Sequence, residues 1–123
     1  MENFPKIGYV GVGRGLPEKV LTNDHLERMV DTSDEWIQQR TGIKTRRIMS
    51  EGETLLSITT DAARNAIENA GIDPQQISYI RIGVNSHMRF PSLATMVQRE
   101  LKIKDAQSAD ISAGCAGYIF AVE

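Results

Sequence analysis

The chain has 123 residues, 41% of them hydrophobic and 24% charged, a balance that fits one globular domain with a core rather than a disordered segment. Its 14 Lys and Arg against 16 Asp and Glu leave a formal net charge of −2, which excludes a protein built to neutralise nucleic-acid phosphates. One cysteine forms no internal disulfide, and no apolar run has the length of a signal peptide or a bilayer span, so a reducing, cytoplasmic setting without membrane contact is expected.

In chain order, Ile7 to Val12 reads as a short buried strand, stopped by Gly13-Arg14-Gly15-Leu16-Pro17. Gly11-Val12-Gly13 has the start of a dinucleotide loop. Leu16 holds the third glycine position, however, and Pro17 stands where a helix should open, so an ordinary turn is expected. Thr22-Asn23-Asp24 supplies N-cap side chains for a short helix through Met29. Ser33 or Asp34 caps a second helix through about Arg40, which Gly42 ends. Lys44 to Met49 is either a short strand or an extended surface segment. Thr54 to Ala70 is the clearest helix, with Leu55, Ile58, Ala62, Ala66 and Ile67 along one side and Gly71 closing it. Ile77 to Val84 then reads as a strand, a helix-to-strand return that suits a parallel sheet. Pro91-Ser92 opens a helix to about Leu101, with Leu93, Met96, Val97 and Leu101 inward, and Ser108 to Ser112 is expected to be a central strand feeding Cys115. No repeat or linker interrupts this single α/β layer, read as one domain over residues 1–123. From Ala116 to Glu123 the pattern gives only about two turns of helix. Its Tyr118, Ile119, Phe120 and Val122 need burial against more protein than this chain offers, so the chain reads as a fragment.

The run Asp110-Ile111-Ser112-Ala113-Gly114-Cys115-Ala116-Gly117-Tyr118 places the cysteine where an apolar strand turns into a helix, among residues with almost no side chain. Small neighbours let a substrate approach the sulfur. A helix start favours the thiolate and offers N–H groups to an oxyanion. This is the arrangement of a covalent acyl-transfer nucleophile; the alternative is an inert core cysteine. Trp36 and Arg40, four apart on a helix, share a face on which indole and guanidinium would sandwich an adenine ring. The alternative has Trp36 as a core anchor beside Ile37 and Arg40 merely solvated. His25 is expected to be a solvated helix residue and His87 a loop or pocket-edge residue, neither a proton-transfer group. Two distant histidines and one cysteine lack metal-ligand spacing, and no metal site is expected. Lys44, Arg46 and Arg47 form a basic cluster that either steers an acidic partner or phosphate, or is simply a solvated face.

The segment Thr32-Ser33-Asp34-Glu35-Trp36-Ile37-Gln38-Gln39-Arg40-Thr41-Gly42-Ile43, with Arg89-Phe90-Pro91-Ser92 and the cysteine run, resembles the beta-ketoacyl-acyl carrier protein synthase III family over nearly the whole chain. The resemblance implies a thiolase-like fold, of which this chain is the N-terminal α/β half of a two-half layered architecture. It implies that Cys115 accepts the starter group from an acyl-CoA and that a decarboxylative condensation with malonyl-acyl carrier protein follows, initiating type II fatty-acid synthesis. It also implies that Thr32, Trp36 and Arg40 hold the adenine end of coenzyme A, and that Phe90 reaches into the partner's acyl pocket across a homodimer interface. Acyl-CoA and acyl carrier protein are then substrate and partner, and no resident cofactor is expected. The family's second stage uses a downstream histidine and asparagine, which neither His25 nor His87 matches, so the fragment alone is expected to be inactive. Two other readings stand beside this one: a secondary-metabolite ketosynthase of the same fold, and a non-catalytic dimerising or coenzyme A-binding fragment.

Overall fold

The computed structural model describes residues 7–123, which divide by their contacts into two units: residues 16–58, and residues 59–123 together with the segment before Leu16.

In the first unit β1 (Lys19–Thr22) pairs antiparallel with β2 (Thr45–Ile48), Lys19 opposite Ile48 and Thr22 opposite Thr45. Two helices, α1 (Asn23–Glu27) and α2 (Asp34–Thr41), fill the connection. A reciprocal cap starts α1: Thr22 Oγ1 accepts from the His25 N–H at 3.3 Å, and His25 Nδ1 accepts from the Thr22 N–H at 3.2 Å. Histidine here fills the place that Glu or Gln usually takes in a capping box. Ser33 Oγ caps α2 by accepting from the Trp36 N–H at 3.1 Å, and Gly42 ends the helix at φ 70°, where a side chain would be strained. The fully buried Asn23 ties the unit together. Its Nδ2 donates to Asp34 Oδ1 at 2.7 Å and to the Ile43 carbonyl at 2.8 Å, while its Oδ1 accepts from Arg46. One amide thus joins the start of α1, the first turn of α2 and β2, with every polar atom satisfied.

In the second unit, most of α3 (Leu55–Ala70) is followed by a 3₁₀ turn over Pro74–Gln76. Then come β3 (Tyr79–Gly83), α4 (Leu93–Glu100), β4 (Gln107–Ile111), a 3₁₀ turn over Gly114–Ala116, and α5 (Gly117–Val122). β3 and β4 are parallel, Tyr79 opposite Gln107 and Gly83 opposite Ile111. Leu93, Ala94 and Val97 of α4, with Ile103 after it, are the buried apolar side chains of this unit among the described residues. The Asp110 carboxylate, on β4, accepts from the Leu93 N–H at 2.7 Å and the Ala94 N–H at 2.8 Å. It thereby satisfies donors that the first turn of α4 cannot satisfy internally. α5 lies close on β3 because two glycines meet: a Cβ on Gly83 would stand 3.2 Å from the Gly117 carbonyl carbon and oxygen.

The helices expected from capping and periodicity are present within a residue or two of their expected ends, and Gly71 (φ 64°) closes α3. Three differences concern strands. Ile7 to Val12 is not a strand, because no segment among the described residues pairs with it, and Ile7, Tyr9, Val10 and Val12 are exposed. It runs against α3 instead, where the Val12 N–H donates to Asn69 Oδ1 at 3.0 Å. Cβ atoms on Gly11 and Gly13 would come within 2.5 Å of Ala66 O and 2.2 Å of Ala66 N. Close helix approach, not phosphate binding, is what these glycines serve. β1 was not anticipated from the sequence. β4 has one strand neighbour among the described residues, β3, and so is not central here.

Candidate active site

Cys115 is exposed and sits in the 3₁₀ turn between β4 and α5. The turn begins at Gly114, whose φ of 52° lies in the left-handed region that favours glycine. The Ala116 N–H donates to the Ala113 carbonyl at 3.0 Å and the Gly117 N–H to the Gly114 carbonyl, so the thiol rides on a closed loop of backbone. Asn85, in the loop after β3, braces this turn: its Oδ1 accepts from Ser112 Oγ at 3.1 Å and from the Gly114 N–H at 3.3 Å. No sequence motif points to Asn85. A contact between residues so far apart in sequence leaves no local pattern.

α2 carries the second cluster. Trp36 is 56% exposed, whereas its neighbour Ile37 is buried. The Arg40 guanidinium carbon lies 5.8 Å from the centre of the Trp36 ring, within cation–π range. Thr32 and Trp36 line one open cleft of about 340 Å³ together with Asp31 and Ser33. Thr32, Trp36 and Arg40 are therefore neighbours presenting a hydroxyl, an aromatic face and a cation to solvent.

Phe90 is 99% exposed and Met88 91%, so Phe90 does not act as a loop-to-helix anchor. The Phe90–Pro91 peptide bond is cis. His25 is exposed, as expected, and its ring also closes the α1 cap; His87 Nε2 lies 3.0 Å from the Pro91 carbonyl oxygen within the loop. Two of the three basic residues are structural pegs. Arg46 reaches the Leu21 carbonyl and Asn23, and Arg47 donates to the Pro17 and Glu18 carbonyls at 3.2 and 3.0 Å. Arg46 thereby ties β2 to β1, and Arg47 ties β2 to the segment just before β1. Among the described residues no group of three or more His, Cys, Asp and Glu is placed to hold a metal ion, and no helix is long and apolar enough to cross a membrane.

Among the described residues two ionisable groups have displaced titrations. Glu53 is held below the ordinary glutamate value, chiefly because its carboxylate accepts the Ser50 N–H at 2.6 Å and also the Glu18 N–H at 3.1 Å. Tyr9 is raised, first by its 2.6 Å hydrogen bond to the Tyr118 hydroxyl.

No protein-family model matches the chain. It is 47% identical over 116 residues to a beta-ketoacyl-[acyl-carrier-protein] synthase III of Listeria innocua, a match covering 94% of this chain and 37% of that protein. The crystal structure of 3-oxoacyl-[acyl-carrier-protein] synthase III from Aquifex aeolicus superimposes with a TM-score of 0.84 at 48% identity, covering 91% of this chain and 36% of the other. The priming beta-ketosynthase of the R1128 polyketide pathway superimposes with a TM-score of 0.85 at 34% identity, covering 92% and 34%. The fold is that of the thiolase-like condensing enzymes, and the chain is one α/β portion of it. Within that class its sequence is similar to beta-ketoacyl-[acyl-carrier-protein] synthase III proteins, among them that of Aquifex aeolicus at 47% identity over 115 residues. The chain spans about 37% of the length of the curated relative from Listeria innocua.

Proposed function

We propose that the protein to which these residues belong is a condensing acyltransferase of the synthase III type, with Cys115 as its nucleophile. The observation that carries this reading is the exposed Cys115 on its glycine-started turn, in a sequence so similar to that family. The sulfur attacks the carbonyl carbon of a starter acyl-CoA, the bond to the coenzyme A sulfur breaks, and coenzyme A leaves while the acyl group stays on Sγ. Malonyl-acyl carrier protein then loses carbon dioxide. The resulting carbanion forms a carbon–carbon bond with the held acyl group, the Cys115 thioester breaks, and a 3-ketoacyl carrier protein is released, the opening step of fatty-acid synthesis.

Binding of coenzyme A falls to α2. The exposed Trp36 face and Arg40 stack an adenine ring, Arg40 answers phosphate charge, and Thr32 supplies a hydrogen bond at the edge of the same cleft. The full exposure of Phe90 supports a homodimer in which this side chain enters the partner's acyl pocket. The protein works in the cytoplasm with acyl-CoA and acyl carrier protein and needs no resident cofactor.

The test is acylation by acetyl-CoA followed by intact-mass and peptide analysis. One acyl group on Cys115, with loss of all labelling in Cys115→Ala, is expected; labelling that persists in Cys115→Ala overturns the assignment. The similarity to a polyketide priming enzyme supports a second reading, a ketosynthase that starts a polyketide chain. Condensation with a polyketide carrier protein but not with the fatty-acid one would favour it.

A further inference from the structure

The loop after β3 holds a side chain that the reaction as described leaves without a part. The Val84 N–H donates to the Ile111 carbonyl at 3.0 Å, the last backbone bond between the two strands on this side. One residue later the Asn85 side chain takes over the connection. Its single oxygen accepts from Ser112 Oγ and from the Gly114 N–H, one residue on each side of Ala113 and immediately before Cys115.

Gly114 explains why such a brace is needed. Its φ is 52°, yet nothing lies within 4 Å of the point where a Cβ would project. Conformation, not space, calls for glycine there, and glycine is also the residue with most freedom to leave that conformation. The turn is exposed on three successive residues, Gly114, Cys115 and Ala116, so surrounding atoms do little to confine it. A rotation at Gly114 would swing the Cα–Cβ bond of Cys115 and with it the sulfur. Attack on a thioester demands reacting atoms about 3–3.5 Å apart and aligned, and a misplacement of about 1 Å costs up to about a hundredfold in rate.

We infer that Asn85 is a positioning residue for the acyl-transfer step, holding residues 112–114 so that Cys115 meets the thioester carbonyl in line. The inference rests on Cys115 being the acyl acceptor, as proposed above. Asn85 acts through the backbone of the turn and bonds neither the sulfur nor the substrate.

The experiment uses the whole protein with Asn85→Leu, which keeps the size and removes the acceptor, and Asn85→Asp, which keeps shape and acceptor. Two rate constants are measured at Cys115 by peptide mass spectrometry: acylation by acetyl-CoA, and alkylation by iodoacetamide, which needs only an accessible thiolate. Both are taken on the pH plateau, where a charge added nearby no longer changes the thiolate fraction. Asn85→Leu should lose about tenfold or more in acylation while alkylation stays within about twofold, and Asn85→Asp should recover most of the loss. Should Asn85→Leu fail to fold, Asn85→Ala is read for the same split. Unchanged acylation, or a parallel fall in both rates, overturns the positioning role and leaves Cys115 as the nucleophile. A wild-type protein that takes no acyl group at Cys115 overturns the functional reading, and this inference with it.

Discussion

Replacing Asp110 by alanine should be among the most damaging single changes in the second unit. The carboxylate accepts two N–H groups at 2.7 and 2.8 Å, both belonging to residues that are buried, Leu93 at 1% exposure and Ala94 at 0%. Water has little room to replace the lost acceptor, so two donors at the first turn of α4 would be left unpaired. A hydrogen bond to a charged group contributes about 1.5–3 kcal/mol, and an unsatisfied buried donor costs about 1–3 kcal/mol. Allowing for partial relaxation of the turn, Asp110→Ala should cost about 3 kcal/mol. Asp110→Asn should cost about half that, because its amide keeps one accepting oxygen and turns an NH₂ toward the second donor. Urea unfolding followed by far-ultraviolet circular dichroism is the assay. With slopes of about 1–3 kcal/mol/M for small domains, the Asp110→Ala midpoint should fall by about 1–3 M at unchanged slope. A loss under about 1 kcal/mol for Asp110→Ala would show that the carboxylate is not what starts α4.

Trp36→Ala should raise the KM for an acyl-CoA by roughly 5- to 30-fold, the worth of about 1–2 kcal/mol of base stacking, with little change in melting temperature. A large drop in melting temperature with unaltered KM would make Trp36 structural after all. Gly13→Ala would drive a Cβ to 2.2 Å from Ala66 N and should cost about 1–3 kcal/mol or more, whereas Gly8→Ala, with nothing within 4 Å, should be nearly silent; equal stabilities would contradict the close approach to α3. Glu53 predicts a pH dependence. Its lowered folded-state value means that its stabilising effect is fully present above the ordinary glutamate pKa and is lost as pH falls through the lower folded value. The melting-temperature gap between wild type and Glu53→Gln should therefore be open at pH 7 and closed at strongly acid pH; a gap that widens on acidification would reverse the sign.

What could be read from the sequence was local. Ser33, Gly42, Gly71 and Ser92 cap or end helices through bonds to residues three or four positions away, or through their own φ, and a short window contains all of that information. The cysteine turn could be read for the same reason: small residues crowd one short stretch. Strands were harder, because a strand exists only through its partner. Lys19–Thr22 has no distinctive alternation and becomes a strand by meeting Thr45–Ile48, while the more apolar Ile7–Val12 finds no mate among the described residues and lies on a helix. The structural part of the basic cluster is hidden on similar grounds. Arg46 and Arg47 look like free charges until their acceptors, the carbonyls of Pro17, Glu18 and Leu21, come alongside. Asn85 and Asp110 are the site's counterpart of that limit, ordinary polar residues whose importance lies in distant backbone N–H groups.

Trp36 is the chain's only tryptophan, and it stands at the solvent rather than in a core. Its emission should thus be red-shifted in the native protein and should move little on denaturation, which makes it a poor witness to unfolding. The same placement, beside Arg40 in the α2 cleft, makes it a good one to occupancy: a nucleotide ring settling on the indole should quench it. Within these 123 residues Trp36 is an intrinsic optical gauge for ligand at α2.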